Sequence, residues 1–503
     1  MQRPGAVLQA AVSCALWLVA AAPGMTDEPV PEERPGSFHW QRAARDLGAV
    51  MGLGVAWYVS QFEVNKLDFD FDRTFSDQAR RLTGDGFRFD DNDRFLNVGH
   101  SFTGSYYHLL ARVHGAAMWQ AMLFDLTAST AWELTVEHRE VVSLNDTVTT
   151  SVGGVALGEA MFRMGDFFAR SRPTVASRLL MGVLSPARAL TWLYGDTPRP
   201  SLAGFDENGL ADDAHHRFAL ALGGASIPDL GWRSAALLDL ELIDLPSYGR
   251  AATASRSLSG GEMTRLAVAF TGNQDDMQSL TIQARSSLWG RYRQDTGDDA
   301  SLAGHASFLG SSTAFELAFR EMGEVTDFLM AVHVLGPSAD VTLHRSDWRV
   351  RMAADLYPDF AMVRPFALDD ESDRPMEVPG QSTLHHDYYY AAGVTAAARV
   401  EASCRRARAG ASAEWSGYDA IEGLDRHQRA YTSPTGIHHE AIRDDRDMTD
   451  QRLTLRLFTE IPVPFTDLAL GGGADYLRRD GSATGASREH DELRFTLQAI
   501  YSL

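Results

Sequence analysis

Cysteine, lysine and long apolar stretches are all scarce in this chain. Of its two cysteines, Cys14 lies in the N-terminal segment, so Cys404 is left without a partner and no internal disulfide is predicted. A zinc site of the usual cysteine-rich type is excluded for the same reason. Lys66 is the only lysine, and we attach no function to it. After the first 22 residues no stretch has the length and apolarity of a spanning helix, Ala49–Val59 being the nearest and too short.

The charge balance excludes one class of partner. The chain carries 46 Lys and Arg against 67 Asp and Glu, a formal net charge of −21. Such a surface repels phosphate groups, so we predict no nucleic-acid partner. Composition is that of a folded protein, at 45% hydrophobic and 22% charged residues, and 503 residues predict two or more domains.

The first 22 residues have the pattern of a secretory signal peptide. Arg3 supplies the positive start, Ala6–Ala21 is a short apolar core, and the small residues Val19–Ala22 offer a cleavage site. A membrane anchor is the alternative, but the apolar run is short and ends in Ala22-Pro23-Gly24. We therefore predict export from a bacterial cytoplasm, with residues 23–39 as a flexible segment.

The remaining chain divides where its hydrophobic period changes. Apolar residues between about Trp40 and Tyr194 recur at helical spacing, as in Met118, Met122 and Leu126. This predicts a helical domain over residues 40–195, with a break near Ser185-Pro186, and a linker over residues 196–213. From residue 214 to 503 the period is two, which predicts antiparallel strands.

The alternating half suits an outer-membrane-type β-barrel of roughly 12 strands. Leu493, Phe495, Leu497 and Tyr501 alternate with charged or polar residues up to Leu503. A membrane barrel turns such an apolar face toward lipid and keeps the polar face in its lumen. Leu503 departs from the aromatic residue that is usual at the end of such barrels. A soluble β-sandwich remains the alternative. The predicted class is therefore α+β, with a helical domain before an antiparallel barrel.

Short motifs in the helical half resemble a known family. In order they are Asn97-Val98-Gly99-His100, Gly104-Ser105-Tyr106-Tyr107, Trp132-Glu133, Ser143-Leu144-Asn145-Asp146 and Gly153-Gly154 with Gly158-Glu159. Each is weak alone, but their order and spacing resemble the bacterial DUF3943 domain over about Asn65 to Arg163. The family's activity is unknown. The resemblance implies an exported protein, often with a β-rich remainder.

The same segment holds the candidate site. His100 and Glu133 are the candidate catalytic pair, because helices paired through Gly115 would bring His100 or Arg112 near Glu133 or Glu137. A histidine beside a carboxylate can transfer protons, or bind a divalent metal with Asp146 as an extra ligand. The candidate binding residues are Tyr107, Arg112, Glu137, Asn145 and Asp146. The alternative is that these groups only satisfy one another as buried pairs. We assign no metal and no cofactor.

Other polar groups receive structural interpretations. Ser143 is predicted to cap the following helix, and Gly153-Gly154 to permit close helix packing. The carboxylates of Asp68–Asp72 and Asp90–Asp93 are predicted to be solvated, with calcium as the alternative. His438-His439-Glu440 is predicted to lie in a polar loop, with metal binding as the alternative.

These features leave three hypotheses for function. The first is an outer-membrane barrel with a structural, transport or ligand-binding role, whose helical domain lies in the periplasm or plugs the lumen. The second is an envelope enzyme acting on lipid or cell-wall material through His100 and Glu133. The third is a soluble periplasmic binding protein. The expected partners are outer-membrane lipid and, during biogenesis, the barrel-assembly machinery. The small-molecule ligand is unknown.

Overall fold

A computed structural model describes the protein from residue 38 onward. It covers residues 38–60, 79, 87–89, 94–137 and 142–194, and most of 204–503, where the longest gap is 369–386. The predicted signal peptide and the segments Asp68–Asp72 and Asp90–Asp93 lie outside the described residues. So do the side chains of His438, His439 and Glu440, but their backbone belongs to a strand, Gly436–Ile442, and not to the predicted loop.

The N-terminal half is helical, as predicted. The helices are α1 (Trp40–Ser60), α2 (Arg94–Val113), α3 (Met118–Thr135), α4 (Leu144–Val148), α5 (Gly154–Arg170), α6 (Val175–Leu184) and α7 (Pro186–Leu193). A π-helical turn, Thr149–Gly153, joins α4 to α5. The break between α6 and α7 falls at Ser185, before Pro186, which confirms the predicted break. Among the described helices, none is both long and apolar enough to cross a bilayer.

The C-terminal half is a closed antiparallel barrel of 12 strands, so the prediction is confirmed and the alternative of a β-sandwich is wrong. The barrel strands are β3 (His215–Ile227), β4 (Gly231–Ile243), β6 (Met263–Gly272), β7 (Met277–Asp295), β8 (Gly304–Met322), β9 (Val325–Arg345), β10 (Trp348–Val363), β11 (Tyr389–Cys404), β12 (Ala407–Ala420), β15 (Met448–Pro462), β16 (Leu468–Ala483) and β17 (Ala486–Ser502). Short strands lie outside this circuit: β1 (Phe87–Arg88), β2 (Val142–Ser143), β5 (Thr253–Leu258), β13 (His427–Ser433) and β14 (Gly436–Ile442).

The register of the strands sets their tilt. The paired residues can be followed from strand to strand around the barrel, starting at Phe218 of β3. After one circuit this path reaches Ser487 of β17. Phe218 itself bonds to Leu503, so the circuit is displaced along β17 by the 16 residues between Ser487 and Leu503. In a barrel of this strand number, such an offset corresponds to a strand tilt of about 40°.

Ion pairs identify the side of the wall that faces the lumen. Arg217 of β3 lies 2.8 Å from Glu460 of β15, and Arg320 of β8 lies 2.6 Å from Asp475 of β16. Neither pair joins neighbouring strands, so both must cross the interior. Residues of the opposite parity therefore face outward.

The final strand shows this alternation clearly. Glu492 and Arg494 are buried in the lumen, whereas Leu493, Phe495 and Leu497 are 44%, 51% and 59% exposed on the outside. The predicted faces of β17 are thus confirmed.

Charged and aromatic side chains line the lumen. The 3₁₀ turn Phe366–Leu368 follows β10 and turns inward, so that Arg479 lies 5.2 Å from the Phe366 ring centroid. Arg479 is fully buried and lies 3.0 Å from both Asp327 and Asp450. A cavity of about 450 Å³ is lined by nine arginines and nine carboxylates, so its charges balance.

The helical domain packs on the outward face of the wall. Leu157, Met164, Phe167 and Phe168 of α5 share an apolar cluster with side chains from eight strands of the barrel. Seven of those side chains are paired in succession around the wall: Phe218, Leu240, Leu266, Ala284, Phe315, Val332 and Phe360. All are of outward parity. We had expected a plug in the lumen or a separate periplasmic domain, and these contacts favour neither arrangement. Periodicity shows which faces are apolar, but not which element covers them.

Candidate functional site

Two polar clusters lie inside the helical domain. The first, the His100 cluster, consists of His100, Glu133, Glu137, Asn145 and Asp146. The second, the His108 cluster, consists of His108, Arg112, Asp125, Glu159 and Arg163. The candidate residues from the sequence divide between them, apart from Tyr107.

Helix α4 brings Asn145 and Asp146 into the His100 cluster. Ser143 precedes the helix and its Oγ accepts a hydrogen bond from the Asp146 backbone N–H at 3.1 Å, which confirms the predicted cap. The Ser143 backbone N–H donates to the Glu133 carboxylate at 3.0 Å. The end of α3 is thereby joined to the start of α4.

Three carboxylates and one histidine converge at this point. His100 Nε2 lies 3.2 Å from Asp146 Oδ1. One carboxylate oxygen from each of Glu133, Glu137 and Asp146 lies within 4.8 Å of the others. Oxygen donors at this spacing are those that could hold a divalent cation, and a histidine beside a carboxylate can transfer a proton. His100 thus lies against Asp146, not against Glu133 as the candidate pair supposed.

Asn145 links the His100 cluster to the barrel. Its side-chain amide donates to Asn97 Oδ1 at 3.1 Å, and Asn97 in turn donates to the Tyr388 hydroxyl at 3.1 Å. Tyr390 lies beside Tyr388 and donates to Asn97 at 3.3 Å. Asn97 and Asn145 are fully buried, so this chain of amides and phenols fixes the cluster against β11.

The His108 cluster is more deeply buried. His108 Nδ1 lies 3.1 Å from Asp125, and His108 Nε2 lies 3.0 Å from Glu159. All three side chains are inaccessible to solvent. Arg112 approaches Glu159 through two nitrogens, at 2.8 and 3.0 Å, and Arg163 Nε lies 2.9 Å from the same carboxylate. Glu159 is therefore the common partner of three cationic or protonatable groups.

Burial and charge act in opposite directions on these groups. Burial alone would lower the pKa of His108, but the carboxylates of Asp125 and Glu159 outweigh it and raise that pKa. Burial raises the pKa of Asp125 to about 7, against the lowering effect of His108. Burial also opposes ionisation of Glu159, yet Arg112, His108 and Arg163 hold the pKa of Glu159 well below its usual range. The buried charges are thus mutually compensated.

The His108 cluster also contacts the barrel. Arg163 lies 3.0 Å from Asp244, in the loop after β4, and donates to the Gly260 carbonyl. Gly261 has a positive φ of 69°, and a Cβ there would meet Glu159 Oε1 at 2.4 Å. The loop between β4 and β6 can therefore approach Glu159 only because this residue is glycine.

Five of the seven candidate residues lie in the His100 cluster, whereas Arg112 and Tyr107 lie apart from it. Gly115 has a positive φ of 90° between α2 and α3, so the expected hairpin forms. Arg112, however, is in the His108 cluster with Glu159. Tyr107 is buried between the two clusters, and burial, then Asp125 and Glu137, raise its pKa to about 12.

The sequence analysis missed His108 and Asp125. A usable signal was present, because Asp125 is the only charged residue between Met118 and Trp132 in an otherwise apolar helix. A lone carboxylate there requires a buried partner. Glu159 was noticed within a motif but not as a site residue.

The region expected to be a linker is ordered where the structure describes it. The Arg172 backbone N–H donates to the Gly209 carbonyl at 2.8 Å, and the Ala211 N–H donates to Ser171 Oγ at 3.0 Å. Arg170 pairs with Asp213. These bonds tie residues 204–213 to the end of α5.

Several solved structures are similar to part of this chain. They include the translocator domain of autotransporter NalP from Neisseria meningitidis, at 10% identity, covering 58% of this chain and 88% of that one, with a TM-score of 0.19. A porin covers 58% and 100% at 7% identity and a TM-score of 0.19. The CymD monoaromatic hydrocarbon channel covers 57% and 88% at 9% identity and a TM-score of 0.17. Likeness at this level identifies no function.

Among curated proteins none matches the sequence. The sequence model of the DUF3943 family, a domain of unknown function, matches residues 86–187. That range begins just before β1, contains both polar clusters and ends in the first turn of α7. The resemblance stated from the motifs is therefore confirmed, with a match over residues 86–187 where the motifs had suggested about Asn65 to Arg163.

Proposed function

We propose that this protein is an outer-membrane barrel with a sealed lumen, which serves as a scaffold for the DUF3943 domain and not as an open channel. The observation that carries the proposal is the set of ion pairs that cross the lumen. The outward faces of the strands support the membrane location, and the contacts of α5 support the scaffold role.

The outward faces of the strands are suited to lipid. Leu457, Leu497 and Ile461 are 61%, 59% and 63% exposed, and Trp232 and Trp348 are exposed as well. Apolar patches of this extent are rare on proteins dissolved in water, where they cause aggregation. Membrane barrels carry such an outward apolar band with aromatic residues near its edges.

The inward faces argue against free diffusion. Arg351 of β10 bridges the lumen to Glu241 of β4 and lies 2.7 Å from Asp340. Arg285 and Asp355 form a second bridge, 2.8 Å apart, between β7 and β10. A solute passing through would have to separate buried pairs, and uncompensated buried charges cost about 3–5 kcal/mol each. Porins, in contrast, keep a water-filled channel.

Conductance of the purified protein in planar lipid bilayers tests the sealed lumen. We expect no steady ion conductance from the unmodified protein. Arg479→Ala combined with Asp327→Ala removes a fully buried pair beside the inward 3₁₀ turn, so this variant should conduct. Arg405→Ala with Asp347→Ala removes an exposed pair, with side chains 80% and 56% accessible, and this variant should show no steady conductance.

Two results would contradict the proposal. Steady conductance from the unmodified protein would show that the lumen is open and the barrel a channel. Release of the protein from membranes by carbonate washing would show that the barrel does not reside in the outer membrane.

A further inference from the structure

The exposed face of α3 is apolar, whereas a helix face that meets water is usually charged or polar. Its large exposed side chains are Trp119, Met122, Leu123 and Leu126, which are 61%, 43%, 48% and 40% accessible. Its two ionisable residues, Asp125 and Glu133, are both buried. A surface helix in water shows the opposite distribution, with charges outward and apolar residues toward the core.

The neighbouring helices continue this uncharged surface. In α1, Leu53 and Trp57 are 73% and 62% exposed, and no charged residue occurs between Leu47 and Ser60. In α2, Phe95 and Leu96 are 55% and 42% exposed. Helix α1 packs on the α2–α3 hairpin, since the Tyr58 and Trp132 rings meet edge to face with centroids 6.2 Å apart. Exposed apolar side chains therefore occur on all three of these helices.

The interior of the domain shows the complementary pattern. Its fully buried charges, in the His108 cluster, are paired with one another. The helices approach closely through small residues: a Cβ at Gly154 would lie 2.6 Å from the Gly104 carbonyl carbon, and one at Gly158 would lie 2.9 Å from the His108 Cβ. Inward-facing paired charges and close packing at small residues are features of helices surrounded by lipid.

The apolar surface of the helices continues that of the barrel. The domain covers the outward row from Phe218 to Phe360, and outward residues elsewhere on the wall, such as Leu222 and Val394, remain 56% and 43% exposed. If lipid surrounds the exposed part of the wall, the same lipid meets the helices docked beside it. A water-facing domain at this position would expose charge, not leucine and tryptophan.

We infer that the DUF3943 domain of this protein lies in the lipid beside the barrel, with the exposed faces of α1, α2 and α3 in contact with acyl chains. The inference rests on the proposed membrane location of the barrel. It assigns the outer wall and the helical domain to one shared lipid-contacting surface. The His100 and His108 clusters then lie behind that surface, shielded from acyl chains.

Spin labels on the full-length protein reconstituted in phospholipid vesicles test this inference. Single cysteines are introduced by Leu123→Cys on α3, by Leu457→Cys on the outward wall and by Arg405→Cys in the exposed turn after β11. The background carries Cys14→Ser and Cys404→Ser. For each label, collision rates are measured with molecular oxygen, which concentrates in lipid, and with the water-soluble complex nickel–EDDA.

We expect the ratio of oxygen to nickel collisions at position 123 to match that at position 457. Both ratios should exceed the ratio at position 405 several-fold. A lipid-like value at 457 with a water-like value at 123 would overturn the inference and leave the barrel in the membrane. Water-like values at both positions would overturn the proposed membrane location itself. Low collision rates with both reagents at position 123, together with spin–spin broadening, would also overturn the inference, because they would show that a second copy of the chain covers this face.

Discussion

Glu159→Ala is expected to undock the helical domain and leave the barrel folded. The substitution removes the common partner of His108, Arg112 and Arg163, all within 3.0 Å of its carboxylate. Removing one member of a buried charge network typically costs about 3–5 kcal/mol, because the remaining charges stay buried without compensation. In the purified variant we expect α2 to α5 to become sensitive to protease, while the barrel keeps its heat-dependent mobility on denaturing gels.

Two further variants make this expectation specific. Glu159→Gln keeps the volume and some hydrogen bonds but loses the charge, so it should be destabilised in the same direction by a smaller amount. Glu207→Ala removes an exposed glutamate from the segment after the helices and should leave protease resistance unchanged. Full protease resistance of Glu159→Ala would mean that the His108 cluster does not hold the domain together.

Gly104→Ala is expected to disrupt the packing of α2 against the π-helical turn. A Cβ at residue 104 would lie 1.8 Å from the Thr150 carbonyl oxygen and 2.6 Å from its carbon. These are backbone atoms and cannot rotate away, so the helix must move. Overpacking of this kind costs about 1–3 kcal/mol or more. The thermal unfolding midpoint of the helical signal, followed by circular dichroism, should fall.

Gly99 provides the matched control in the same helix. A Cβ there meets nothing within 4 Å, so Gly99→Ala should be neutral or stabilise α2 by up to about 1 kcal/mol. Equal unfolding midpoints for Gly104→Ala and Gly99→Ala would contradict the close contact between α2 and Thr150.

The barrel could be predicted from the sequence because its signal is local. In β17 polar and lipid-suited side chains alternate from Glu492 to Gln498, and the structure keeps this alternation. The caps and breaks of the helices are local too, which is why Ser143 and Ser185 fall where expected. Strand alternation, helix caps and helix breaks depend on residues that are close together in the chain, so they can be predicted from the sequence.

The polar clusters and the docking of the domain could not be predicted in the same way. Arg112 and Glu159 are 47 residues apart, and no periodicity indicates that they pair. Phe315 and Val332 are apolar and face outward, and lipid or a docked helix would suit such positions equally well. Whether lipid or a helix covers such residues depends on the shape of α5 and on glycines such as Gly261. Gly261 permits the contact between the β4–β6 loop and Glu159, which only the folded chain reveals.

A pair of introduced cysteines tests the position of the helical domain most directly. A Cβ at Gly153 would lie 3.2 Å from Val332 Cγ2, and Val332 faces outward, whereas its neighbour Ala331 faces the lumen. The background carries Cys14→Ser, Cys404→Ser and Ser101→Ala, the last because a Cβ at residue 153 would meet Ser101 Oγ at 2.6 Å. There, Gly153→Cys with Val332→Cys should form a disulfide in the membrane-embedded protein, since the two side chains would be in contact. Gly153→Cys with Ala331→Cys should not. The reverse result, cross-linking through residue 331 and not 332, would place the domain in the lumen and contradict the outer-wall arrangement.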